Sequence, residues 1–171
     1  MPASNAVSSL FLLKLEEQIE RTLHLITLIP PDRLEWSPPG GSPRVCDLLG
    51  HLLECLAGFC ATLYAVNSER LAHFERLREL PVNHCCGIEE ARERVRDYAM
   101  HIREGFSLLG DDDLPRRIPA VFFPEGEAVT TILLGNLEHL INHKYQLFFY
   151  LKLLEIGVTT SDLYQIRPAA D

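Results

Sequence analysis

Val45-Cys46-Asp47-Leu48-Leu49-Gly50-His51-Leu52-Leu53-Glu54-Cys55-Leu56 opens the stretch that decides the fold. Continued to Val66, it carries Val45, Leu48, Leu49, Leu52, Leu56, Phe59, Leu63 and Val66 at three- and four-residue steps. That spacing lays a broad apolar stripe along about six helical turns, too long and too helical in period for a strand. Upstream, Ser42 reads as an N-cap with Pro43 at the first helical position, which sets the predicted helix at about 43–66.

Three further segments share this period. The first predicted helix covers about 7–29, with Leu12, Leu15, Ile19, Leu23 and Ile26 inward and Lys14, Glu17, Glu20 and Arg21 on the wet side. Pro30-Pro31 stops it, and a loop rich in turn formers follows to Gly41. A third helix at about 88–109 starts from Gly87, with Ile88, Ala91, Val95, Ala99, Ile102, Phe106 and Leu109 as its stripe. The fourth, about 127–156, is apolar almost all round and ends at Gly157, as expected of a helix packed on several sides. Between them, Ser68–Glu79 reads as a charged connection with room for a short helix. Arg116–Phe123, punctuated by Pro119 and Pro124, reads as an extended segment or one short strand.

Four long helices and little strand predict an all-α, four-helix bundle, one domain over residues 1–171. A net charge of −8, with basic residues dispersed among acids, argues against nucleic acid as a partner. No signal peptide and no spanning segment of about 20 apolar residues is read, so a cytoplasmic chain without a membrane partner is expected. On that expectation the five cysteines, odd in number and without C-x-x-C spacing, are reduced thiols.

The chemistry lies in histidines. His139 and His143 stand one turn apart in the fourth helix and therefore share a face, with Ile132, Asn136, Gln146, Tyr150 and Leu154 nearby and Lys144 and Lys152 on the outer side. Two inward imidazoles are satisfied either by hydrogen bonds to backbone or carboxylate, or by sharing one metal ion at about 2.0–2.1 Å. His51, at the edge of the second helix's stripe, is a core residue on the first reading and a third ligand on the second. Three protein ligands with an open position match a catalytic site more than a structural one. Asn136, Glu138, Asn142 and Gln146 are candidates to take the other ring N–H, and Cys55 and Tyr150 are placed near the site. His24, His73, His84 and His101 fall on wet faces or in the polar connection. A zincin is excluded because Leu140 follows His139 where Glu is required, and a di-iron bundle because no paired Glu-x-x-His motif occurs.

Three passages in order then resemble the DinB/YfiT-like superfamily of metalloenzymes: Leu28–Pro38, Ser42–Leu53 around Asp47-Leu48-Leu49-Gly50-His51-Leu52, and His139–Leu147 with its trailing Tyr150–Gly157. The resemblance implies a bundle with a divalent metal on His51, His139 and His143, and the ion expected on those imidazoles is Zn²⁺, with Ni²⁺, Mn²⁺ and Fe²⁺ as alternatives. It further implies a homodimer and an activity on a small molecule: a thiol S-transferase or thiol-dependent isomerase using a low-molecular-weight thiol, with a hydrolase using metal-activated water as the other enzymatic reading. Lys144 and Tyr145 stand where the family pattern has Arg and Gly. The alternative is a non-catalytic bundle whose histidines are structural or bind a small ligand.

Overall fold

The computed structural model describes residues 5–120 and 123–164. Helices α1 (Ala6–Thr27), α2 (Val45–Val66), α3 (Ile88–Ser107) and α4 (Val129–Leu153) form the bundle, and a one-turn α5 (Thr160–Leu163) follows. Around the bundle α2 packs on α3 and α4, and α1 closes the other side against the same two helices. The predicted α2 stripe is buried throughout, from Val45 to Val66. By length and composition alone α2 would cross a membrane, contrary to the expected absence of such a segment. Its apolar surface is instead taken up by α3 and α4, as in any central helix of a bundle.

Helix starts differ from the predicted ones for identifiable reasons. Helix α2 begins at Val45, not Pro43, because the Asp47 carboxylate turns back to the Arg44 N–H and guanidinium and draws the cap to Arg44. Helix α1 has no local side-chain cap; Asp111 reaches across from the turn after α3 and accepts from the Val7 and Ser8 N–H groups. Helix α4 ends at Leu153, ahead of the expected Gly157, and Glu155 takes the left-handed turn with φ 60°.

The extended passage before α4 is a two-stranded antiparallel hairpin, β1 (Arg117–Ala120) and β2 (Phe123–Ala128). Its register shifts between Ile118 and Ala120, where Pro119 lacks the N–H a ladder needs. Val121 and Phe122 of the predicted segment lie outside the described residues. So do the ends of the expected domain, 1–4 and 165–171.

Two faces depart from the wheel. Lys144 and Arg21, both predicted on wet sides, are buried at 2% and 6% exposure between α1 and α4. The Lys144 ammonium donates to Gln18 Oε1 at 2.8 Å, and burial, with the Arg21 and Lys14 charges, lowers its pKa to about 8. The opposite error is on the outside of α4, where Leu134, Tyr145, Phe149 and Leu153 are each about half exposed. Among the described residues this helix packs chiefly against α2 and α1, and its remaining face is open.

The cysteines also differ from expectation. Cys46 and Cys85 are joined by a disulfide, while Cys55, Cys60 and Cys86 are free and buried. The spacing of 39 residues hides this pair, because the chain must close a loop before position 85 returns to the start of α2.

Candidate metal centre

His51 and the pair His139/His143 converge from α2 and α4. His51 Nε2 lies 3.1 Å from Nε2 of both His139 and His143. None of the three is fully buried, so their common point is open to solvent on one side. Beside it a cavity of about 480 Å³ is lined by Pro43, Asp47, Leu48, His51, Asn83, His143 and Gln146.

The hydrogen bonds at the other ring nitrogens assign the tautomers. Pro43 has only a carbonyl to offer, so Tyr150 Oη must donate to it at 3.1 Å. Tyr150 Oη therefore accepts from Gln146 Nε2 at 3.0 Å, and this turns Gln146 Oε1 toward His143 Nδ1 at 2.8 Å. Against a carbonyl oxygen that Nδ1 must carry the proton, leaving Nε2 as a lone pair. His51 Nδ1 likewise faces two acceptors, Asn83 Oδ1 at 2.7 Å and Glu54 Oε2 at 2.9 Å. Its Nε2 is also a bare lone pair.

Two acceptor nitrogens, Nε2 of His51 and of His143, thus sit 3.1 Å apart with no hydrogen between them, and His139 Nε2 is 3.1 Å from the first. Such an arrangement is repulsive unless something positive stands among them. Nitrogens on one cation at about 2.0–2.1 Å are separated by about 2.9–3.4 Å, depending on the coordination angle, which brackets the observed spacing. Burial, the largest cause, lowers the pKa of both His139 and His143, against the raising effect of the Gln146 hydrogen bond at His143, and this favours the neutral imidazole that a metal ligand requires. The donor set fits a divalent ion.

Of the predicted supporting residues, Gln146 and Tyr150 take part through the chain just described. Cys55 is in place, its Sγ 3.7 Å from His139 Nδ1, and burial with the Glu54 charge pushes its thiol up to about 12. It is a neutral neighbour and no ready thiolate ligand. Asn136 is engaged elsewhere, donating to Thr62 Oγ1 at 3.3 Å across the α2–α4 seam. Glu138 and Asn142 point to solvent, since their positions on α4 fall with exposed Tyr145 and Phe149 and away from the histidines. Sequence reasoning missed Asn83 and Glu54. Glu54 was findable, being three residues after His51 on one helix. Asn83 was not, because it comes from a loop with no periodicity.

A family model described as the DinB superfamily matches residues 14–147 of the chain. Among solved structures, the crystal structure of a DinB-like protein from Bacillus subtilis is similar, with a TM-score of 0.65 and 19% identity. The match covers 87% of this chain and 93% of that one, and at this identity it speaks for the fold. No curated protein matches.

Proposed function

This chain belongs to the DinB superfamily, whose members are often metal-binding, and we propose that it is a metal-dependent enzyme with a mononuclear site on His51, His139 and His143. The observation that carries this reading is the meeting of three imidazole Nε2 atoms, two of them fixed as lone pairs by Asn83, Glu54 and Gln146. Zn²⁺ suits a neutral three-imidazole set with an open side. When bound, such a cation lowers the pKa of a thiol or water beside it, so that a nucleophile exists at neutral pH.

The reaction class we favour is transfer of a low-molecular-weight thiol to an electrophilic small molecule. The cavity beside the imidazoles supports it: Leu48 and Pro43 offer apolar wall, while Asn83, Gln146 and Asp47 offer polar atoms to orient a substrate. Asn83 and Gln146 hold the two ring protons on the far side of their imidazoles and so keep the near side free.

Metal content of tag-free protein, compared with His139→Ala and His143→Ala, tests the site. The reading expects about one ion per chain, lost in both variants. Sub-stoichiometric metal in the parent protein, or equal occupancy in the variants, would sink it. Thermal shift against a panel of cellular thiols then tests the reaction class, which requires a shift that depends on both thiol and metal.

A further inference from the structure

A second cluster lies at the start of α2, outside the histidine site. Three segments are pinned together there. Cys46 N–H donates to Leu34 O at 2.9 Å, Val45 N–H to Trp36 O at 2.9 Å, and Cys86 N–H to Cys46 O at 3.0 Å. They bring Glu35, Cys46 and Cys85 to one point, with Glu35 Oε1 3.9 Å from Cys46 Sγ and 3.6 Å from Cys85 Sγ. The carboxylate is not there by chance of rotamer: its other oxygen accepts from the Arg44 guanidinium at 2.5 Å, which aims Oε1 at the sulfurs.

We propose that this is a redox-exchangeable metal site: oxidised, Cys46 and Cys85 form the disulfide; reduced, they and Glu35 hold a soft divalent cation, Zn²⁺ or Cd²⁺. Two lengths support the geometry. With metal–sulfur distances of about 2.3 Å and metal–oxygen of about 2.0–2.2 Å, a tetrahedral edge between S and O is about 3.6 Å. The carboxylate already stands at that edge from Cys85 and close to it from Cys46. Cleaving the S–S bond frees the sulfurs to part to an edge of about 3.8 Å.

Charge supports it as well. Two thiolates and one carboxylate around a divalent ion leave one negative charge, and Arg44 offsets it from the Glu35 side. Cys46 is the second residue of α2, where the helix N-terminus favours a thiolate. Glu35 and Cys85 are exposed, so a reductant and an ion have a route in, while Cys46 is buried.

The exchange balances with a dithiol as reductant. Its two sulfurs are oxidised to a disulfide, and each cysteine sulfur receives one electron and one proton as the Cys46–Cys85 bond breaks. Entry of the cation then displaces both thiol protons to solvent.

Cadmium alone is the probe, added to tag-free His139→Ala/His143→Ala protein so that the imidazole site does not compete. The dithiol-reduced, desalted protein should develop cadmium–thiolate charge-transfer absorption that saturates near about one ion per chain. The oxidised protein should not. Cys85→Ser should abolish the band, Cys86→Ser should leave it, and Glu35→Gln should weaken binding about tenfold or more. Circular dichroism checks that each variant is folded; should Cys85→Ser fail that check, the exposed Glu35→Gln carries the comparison. No band in the reduced protein, or a band that survives Cys85→Ser and is lost in Cys86→Ser, would overturn the proposal.

Discussion

Gln146 Oε1 stands 2.8 Å from His143 Nδ1, and its amide cannot turn over without breaking the bond from Nε2 to Tyr150. One glutamine thus holds the tautomer of one of the three converging imidazoles. Replacing it by alanine frees the imidazole to rotate and to move its proton. We expect Gln146→Ala to lower metal affinity about tenfold to a hundredfold, measured by competition with a chromogenic chelator. Tyr150→Phe removes the hold on the amide but not the acceptor, and its effect should be smaller. Unchanged affinity in Gln146→Ala would show that the tautomer is set in some other way.

Lys144 donates to Gln18 inside the α1–α4 seam, a charged group with a neutral partner in a dry place. Gln18→Leu removes the acceptor and leaves the ammonium short of its bond, at a cost of about 2–3 kcal/mol in chemical denaturation. Adding Lys144→Met to Gln18→Leu should recover part of that loss, because the unpaired donor goes with it. Strict additivity of the two single changes would count against a direct coupling.

Gly50 sits on α2 where a Cβ would meet His84 O at 2.0 Å and His84 N at 2.7 Å. These are backbone atoms of the loop that carries Asn83, so no rotamer change relieves the clash. Gly50→Ala should destabilise the fold by about 3 kcal/mol and move the loop from His51. A drop in melting temperature together with weaker metal binding is the expected pair of results.

Asp162 of α5 accepts from His24 of α1 at 3.0 Å and from the Thr159 N–H at 2.7 Å, and these bonds, His24's first, lower its pKa to about 2. A carboxylate depressed in the folded state stabilises fully above its unfolded value near 3.9 and loses that contribution as pH falls through about 2. Allowing for screening at a partly exposed pair, the contribution is about 1 kcal/mol. Stability measured from pH 5 to 2 should therefore fall less steeply in Asp162→Asn than in the parent protein.

The bundle was legible because α2 and α3 bury nearly every residue of their predicted stripes, and period alone reveals a buried face. The meeting of His51, His139 and His143 was legible for the same reason, each being tied to a helical position. Period failed where a polar residue is buried. Lys144 and Arg21 carry charge, so the wheel assigns them to solvent, yet Gln18 and the ring of Tyr164 line a seam that accepts them. It failed again for Asn83 and for Cys46–Cys85, which depend on a loop whose path follows from tertiary contact and not from spacing.

His143 and Lys144 are neighbours on α4 that face two different seams, one toward α2 and the other toward α1. Successive residues on a helix are 100° apart, so any roll of α4 about its axis moves both at once. The Lys144–Gln18 bond therefore works as a stop on the rotational register of the helix that presents two of the three imidazoles. Substitutions along α1 that touch none of the histidines would be felt where the imidazoles meet, as a change in aim.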